Sequence, residues 1–155
     1  MDNYGSFDSL SKQIYIKNYV IGSTFDYKIF GDLKFYNLNK YSKGVEDNDN
    51  SSVLYFSFLD MNFLFMGDAS SAIESKIIKD NKLDVDILKI GHHGSDTSTS
   101  LEFLKNVNPK EVVISVGKNN KYGHPSSDVL NRLEAIKIKV RRTDKEGSIK
   151  YKKSI

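Results

Sequence analysis

Residues 63–93 read FLFMGDASSAIESKIIKDNKLDVDILKIGHH, and this stretch decides the fold. An apolar run stops at Gly67-Asp68, where a strand should end and a helix begin. The spacing predicts a helix over residues 70–80, with Ile73, Ile77 and Ile78 on one side and Glu74, Lys76 and Lys79 on the other. Residues 85–90 (VDILKI) then read as a second strand, ending in Gly91-His92-His93. One crossover thus joins two neighbouring strands. Both polar endpoints lie beyond strand carboxyl ends, the edge at which parallel α/β structure builds its sites.

Upstream, the chain is short-strand sequence. Residues 13–20, 24–30 and 33–38 alternate well enough for strands, with Gly31-Asp32 as a turn signal between the last two. Residues 39–50 (NKYSKGVEDNDN) read as a polar, solvated loop, since Asp and Asn clusters favour turns. Residues 52–58 and 61–66 form a hairpin across Leu59-Asp60. Downstream, a helix should start at Thr99 or Ser100, with Glu102 in its first turn and Leu101 and Leu104 facing inward, and stop at Asn108-Pro109. β-Branched residues fill 111–116 (EVVISV), the signature of a buried strand. A third helix should run from Ser126 or Ser127 to Ala135, with Asp128 near its positive end. Strands at 138–142 and 148–152, joined by a turn containing Lys145-Glu146-Gly147, should close the chain. The fold class is therefore α/β, a mixed sheet with flanking helices.

Composition bounds the function. A length of 155 residues suits one domain with a real core. With 39% hydrophobic residues, 28% charged residues and two prolines, the chain should fold rather than stay disordered. It has no cysteine, so any metal must be held by histidine and carboxylate. The net charge of +3 does not by itself imply nucleic acid. No apolar run approaches a membrane span and the first residues lack a signal-peptide core, so a soluble, cytoplasmic chain is the default expectation.

Asp68, His92, His93 and His124 all follow expected strands. Imidazole and carboxylate suit zinc, manganese or iron, and a carboxylate can bridge two ions. Plainer roles fit as well. His92 and His93 could be loop residues, with one donating to a carbonyl. His124 could shape a turn, and Asp68 could cap a helix.

The wording of the motifs narrows this. Asn48-Asp49-Asn50-Ser51-Ser52-Val53-Leu54, Leu64-Phe65-Met66-Gly67-Asp68, Leu88-Lys89-Ile90-Gly91-His92-His93-Gly94-Ser95 and Ile114-Ser115-Val116-Gly117-Lys118-Asn119-Asn120-Lys121-Tyr122-Gly123-His124-Pro125 follow one another in order. Together with Thr143-Asp144 and Gly147-Ser148-Ile149, they resemble the metallo-β-lactamase-fold domain of ComEC-type competence proteins. The likeness runs from about Phe30 to the C-terminus. It implies the second half of an αβ/βα sandwich, with Asp68 as a bridging metal ligand and His92 as the last metal histidine. His93 would then support the ligand, and His124 would orient substrate or hydroxide or itself serve as a ligand. Asp68, His92 and His124 are the implied catalytic residues, and Ser95 with Asn119 or Asn120 would contact a phosphate oxygen. The intact family site implies zinc or manganese, whose bound hydroxide would attack a phosphodiester or the carbonyl of an ester or amide; the resemblance favours a phosphodiester, with DNA as one candidate. Lys118, Lys121, Lys139, Lys150, Lys152, Lys153, Arg141 and Arg142 are candidate phosphate contacts, or simply solvated surface charges.

The departure from the family is large. No His-x-His-x-Asp-His occurs, and all three histidines are C-terminal. The expectation is a partial domain across residues 1–155, its first metal-binding half absent, that binds no metal tightly and lacks activity alone. The alternative is a non-catalytic binding or assembly module derived from the same fold. Nine Phe and nine Tyr, most of them before position 66, imply an apolar sheet face covered by a homo-oligomer or by a missing N-terminal half.

Overall fold

The computed structural model describes residues 27–30, 33–39 and 47–152. The expected strand at 13–20 lies outside them, and only the last four residues of the one expected at 24–30 are described. Among the described residues, one sheet carries seven strands in sequence order: β1 (Tyr27–Phe30), β2 (Leu33–Asn37), β3 (Leu54–Phe58), β4 (Met61–Phe65), β5 (Ile87–Lys89), β6 (Glu111–Ile114) and β7 (Lys139–Arg142). The first four pair antiparallel. From β4 to β7 the pairing is parallel. β4 is the junction, antiparallel to β3 on one side and parallel to β5 on the other. Its crossover is α1 (Ser71–Asp80); α2 (Leu101–Val107) and α3 (Ser127–Ala135) make the next two.

Three serines start these helices. The Oγ atoms of Ser70, Ser100 and Ser126 accept from the backbone N–H of Ala72, Phe103 and Val129 at 3.3, 3.2 and 3.3 Å. Each satisfies an amide that has no partner within its own helix. Helix α2 ends where Asn108 turns left-handed (φ 44°) ahead of Pro109.

Strand alternation sorts side chains onto two faces. Leu64, Met66, Leu88, Ile90, Val112 and Ile114 lie under the helices and form one core with Ile73, Ile77, Phe103, Leu104, Val129 and Leu133. Phe56, Phe63 and Ile87 form a second cluster on the other face, flanked by Phe35, Met61, Phe65, Val113 and Tyr151. Burying each such side chain contributes about 1.5–3 kcal/mol, so the helix-covered face dominates stability.

Four expectations change. Residues 148–152 form no strand; a short helix α4 (Thr143–Glu146) ends β7 instead. Arg142 to Asp144 (2.6 Å) and Arg141 to Glu146 (2.7 Å) hold that turn. The chain then crosses the second face, where the Tyr151 ring packs edge-on against Phe63 (5.4 Å) and its hydroxyl donates to the buried Glu111 carboxylate. Leu101 is 37% exposed, and Phe103 takes the inward place beside Leu104. Glu74 points inward, fully buried, rather than to solvent. Finally, in the loop expected at 39–50, of which residues 40–46 lie outside the described ones, residues 47–50 make a 3-10 turn in which Asp49 is buried while its three neighbours are exposed. Asn39 ties this turn down, its amide donating to the carbonyls of Asp49 (2.8 Å) and Ser51 (2.9 Å).

Among the described residues, no helix is long and apolar enough to cross a membrane.

Candidate functional site

Because β4, β5 and β6 run parallel, the segments that follow them meet at one sheet edge. After β4, Gly67 takes a left-handed φ of 57°, which lets the chain turn away from the sheet. The next residue, Asp68, donates its N–H to Ser51 Oγ at 3.2 Å. Ser70, not Asp68, caps α1, which leaves the half-exposed Asp68 carboxylate available. The buried Asp49 carboxylate accepts from Ser70 N–H at 3.3 Å and fixes the helix entry.

After β5 the chain makes a 3-10 turn, Gly91–Gly94, in which His92 and His93 both adopt left-handed backbone (φ 45° and 54°). Two successive non-glycine residues in this region are costly, and such strain concentrates at functional sites. The turn is held by His92 N–H donating to Gly67 carbonyl at 3.0 Å. Gly91 is needed for close packing, because a Cβ there would lie 2.8 Å from the Ala69 carbonyl oxygen.

The imidazole that meets Asp68 is that of His93. Its Nε2 lies 4.0 Å from Asp68 Oδ1, and its Nδ1 is 2.6 Å from the Ser115 carbonyl oxygen. A carbonyl only accepts, so Nδ1 carries the proton and Nε2 faces the carboxylate. His92 lies against His124, ring centres 5.7 Å apart. Burial, followed by the nearby His92 and His93, holds the His124 imidazole below its ordinary pKa, and only Asp96 opposes. His124 is therefore neutral near pH 7.

His124 belongs to the loop after β6, and Asn120 organises that loop. Its Nδ2 donates to the His124 carbonyl (2.7 Å) and its Oδ1 accepts from His124 N–H (3.0 Å). Asn119 is exposed with φ 59°. The His124–Pro125 bond is cis. Ser95 is buried, with its hydroxyl 3.1 Å from Thr97 Oγ1. Of the candidate phosphate contacts, Lys139, Arg141 and Arg142 already pair with Glu111, Glu146 and Asp144. Lys118 and Lys121 are exposed on the same loop as His124.

Sequence reasoning gave no role to Lys89, which lies close enough to Asp68 to feel its charge. Burial pulls its ammonium pKa down while the nearby Asp68 charge pushes it back up. The available signal was a lysine at the carboxyl end of an otherwise apolar strand run, next to the Gly-His-His turn. Asp49 and Asn39 were missed for another reason: polar sequence alone does not show which side chain of a loop is buried.

Among the described residues, no group of three or more His, Cys, Asp or Glu is placed to hold a metal ion. The donors that do converge are one carboxylate and a small histidine cluster.

No protein-family model matches the chain. It is 38% identical over 123 residues to ComE operon protein 3 of Bacillus subtilis, covering 78% of this chain and 16% of that protein. It is 37% identical over 111 residues to Competence protein ComA of Neisseria gonorrhoeae, covering 70% of this chain and 16% of that protein. Recombination protein 2 of Haemophilus influenzae is 35% identical over 104 residues, which is 67% of this chain and 13% of that protein. The chain therefore spans a small part of each relative. These matches support a relationship with competence proteins.

Proposed function

We propose that this chain supplies the aspartate-and-histidine half of a metal-dependent hydrolase of the metallo-β-lactamase fold, directed at phosphodiesters and inactive by itself. The reading rests on the Asp68–His93 pair, a carboxylate oxygen and an imidazole Nε2 at 4.0 Å beside a second histidine pair. Two ligand bonds of about 2 Å would span that gap. A backbone carbonyl on the far ring nitrogen, as Ser115 provides for His93, is how metal-binding histidines are commonly oriented. The resemblance favours His92 beside Asp68 as the ligand, and the contact geometry favours His93. Either way the described residues bring together too few donors for a zinc or manganese centre, so the reading requires further ligands from outside them. The names of the relatives support a competence-associated role, with nucleic acid as the phosphodiester.

The test is reconstitution. The purified chain should show no manganese- or zinc-dependent cleavage of a bis-aryl phosphate. A separate polypeptide carrying His-x-His-x-Asp-His should restore turnover, and Asp68→Ala should abolish it without changing the far-ultraviolet circular dichroism. Comparing His92→Ala with His93→Ala in that mixture identifies the ligand, and light scattering across a dilution series shows whether a second copy takes part. Robust turnover by the chain alone would overturn the reading. The small donor set also favours a second reading, a non-catalytic assembly module; complex formation with the other half but no turnover would select it.

A further inference from the structure

The loop after β6 carries a ring that the chemistry above does not use. Tyr122 is 68% exposed, the most open of the large apolar side chains described. It is not adrift, because its ring stacks on His124 with centres 6.0 Å apart and planes only 19° from parallel. Lys121 Nζ lies 5.1 Å from the Tyr122 ring centre. The Asn120 amide, bonded to both His124 N–H and His124 carbonyl, fixes the loop beneath. An aromatic face, open to water and accompanied by Lys121, stands directly beside His124.

Leaving such a ring exposed gains no burial. What it offers is a π-face next to a cation, the combination that single-stranded nucleic acid matches with its bases and phosphates. In a duplex both faces of each base are covered by neighbouring bases, so only an unpaired or splayed base could stack here. Lys121 can leave its cation–π contact for an incoming phosphate, and the same loop carries a second exposed lysine, Lys118.

We propose that Tyr122 is a base-stacking platform that seats a nucleobase of a single strand, so that the adjoining phosphodiester lies over Asp68 and the histidines. This rests on the phosphodiester reading and adds to it a strand type and a contact. It predicts preference for single strands over duplex, little dependence on base identity, and loss of affinity when the base is missing.

The chain contains no tryptophan, so Tyr122→Trp introduces a single indole reporter at the platform. Titration with an oligothymidylate should quench its emission. An abasic strand of equal length, and a duplex, should leave the emission unchanged and bind roughly tenfold or more weakly. In the wild-type background, Tyr122→Phe should keep oligothymidylate affinity while Tyr122→Ala should lose it by a similar factor. Equal affinity for abasic and base-bearing strands, unchanged affinity in Tyr122→Ala, or binding to no strand at all would each overturn the proposal. Hydrolysis by the reconstituted pair without quenching would defeat the platform alone. Quenching without hydrolysis would defeat the hydrolase reading and leave the platform standing.

Discussion

Glu74→Gln should lower the free energy of unfolding by about 2 to 3 kcal/mol, read from urea denaturation at pH 7. The Glu74 carboxylate is fully buried and accepts two backbone amides at the start of α2, Thr99 N–H at 2.5 Å and Ser100 N–H at 2.9 Å. A glutamine has one oxygen to offer. Its NH₂ would face the second amide, donor against donor, and leave that buried N–H without an acceptor. A loss below about 1 kcal/mol would show that these bonds contribute little.

The same substitution should change the pH dependence. Burial raises the Glu74 pKa above its ordinary value, against the lowering effect of the two amides and of Arg132. The folded state then holds this proton more tightly than the unfolded state does. Glu74's contribution is therefore fully present below the ordinary glutamate pKa and declines as pH rises through the raised one. Glutamine does not titrate. The stability difference between wild type and Glu74→Gln should accordingly shrink from pH 4 upward, and a difference that grows with pH would contradict the assignment.

Glu74 also shows how far the sequence could be read. Its neighbours Ile73 and Ile77 were placed inward correctly by periodicity, and position 74 lies one turn before 77 on the same helix face. Charge alone argued for solvent. What overruled it was a partner outside the helix: the amides of Thr99 and Ser100, with Arg132 holding the carbonyls of Ser98 and Thr99 at 3.0 and 3.2 Å. No local pattern carries that information. The crossover helix and the strands at 61–66, 85–90 and 111–116 were legible because apolar periodicity and serine caps agree with the tertiary answer. The end at 148–152 was not, because an alternating pattern suits a strand and a segment crossing an apolar sheet face equally well. At the site, the meeting of the segments after β4, β5 and β6 follows from parallel pairing. Which imidazole reaches Asp68 depends on two left-handed residues in succession, and no spacing rule anticipates those.

Gly94→Ala is the other substitution with a large expected effect, roughly 3 kcal/mol of stability. Gly94 has φ 86°, and a Cβ there would stand 2.7 Å from Pro125 Cβ and 3.2 Å from Pro125 Cα. A proline ring is not the far end of a flexible side chain, so relief requires the backbone to move. The Gly94 carbonyl also accepts the N–H of Ser126, the residue that caps α3, at 2.9 Å. Gly94 therefore clamps the Gly-His-His turn to the Gly-His-Pro turn, and displacement of Pro125 must carry the adjacent His124 away from His92. Gly123→Ala is the matched control: its φ of 72° has the same sign, but nothing lies within 4 Å of the added carbon. That substitution should cost only about 1 kcal/mol, from the backbone conformation alone. Chemical denaturation of both variants, with histidine ring signals followed by NMR, should show Gly94→Ala far less stable and its His124 resonance shifted. Equal losses in the two variants would mean that left-handed strain, and not the contact with Pro125, makes Gly94 necessary.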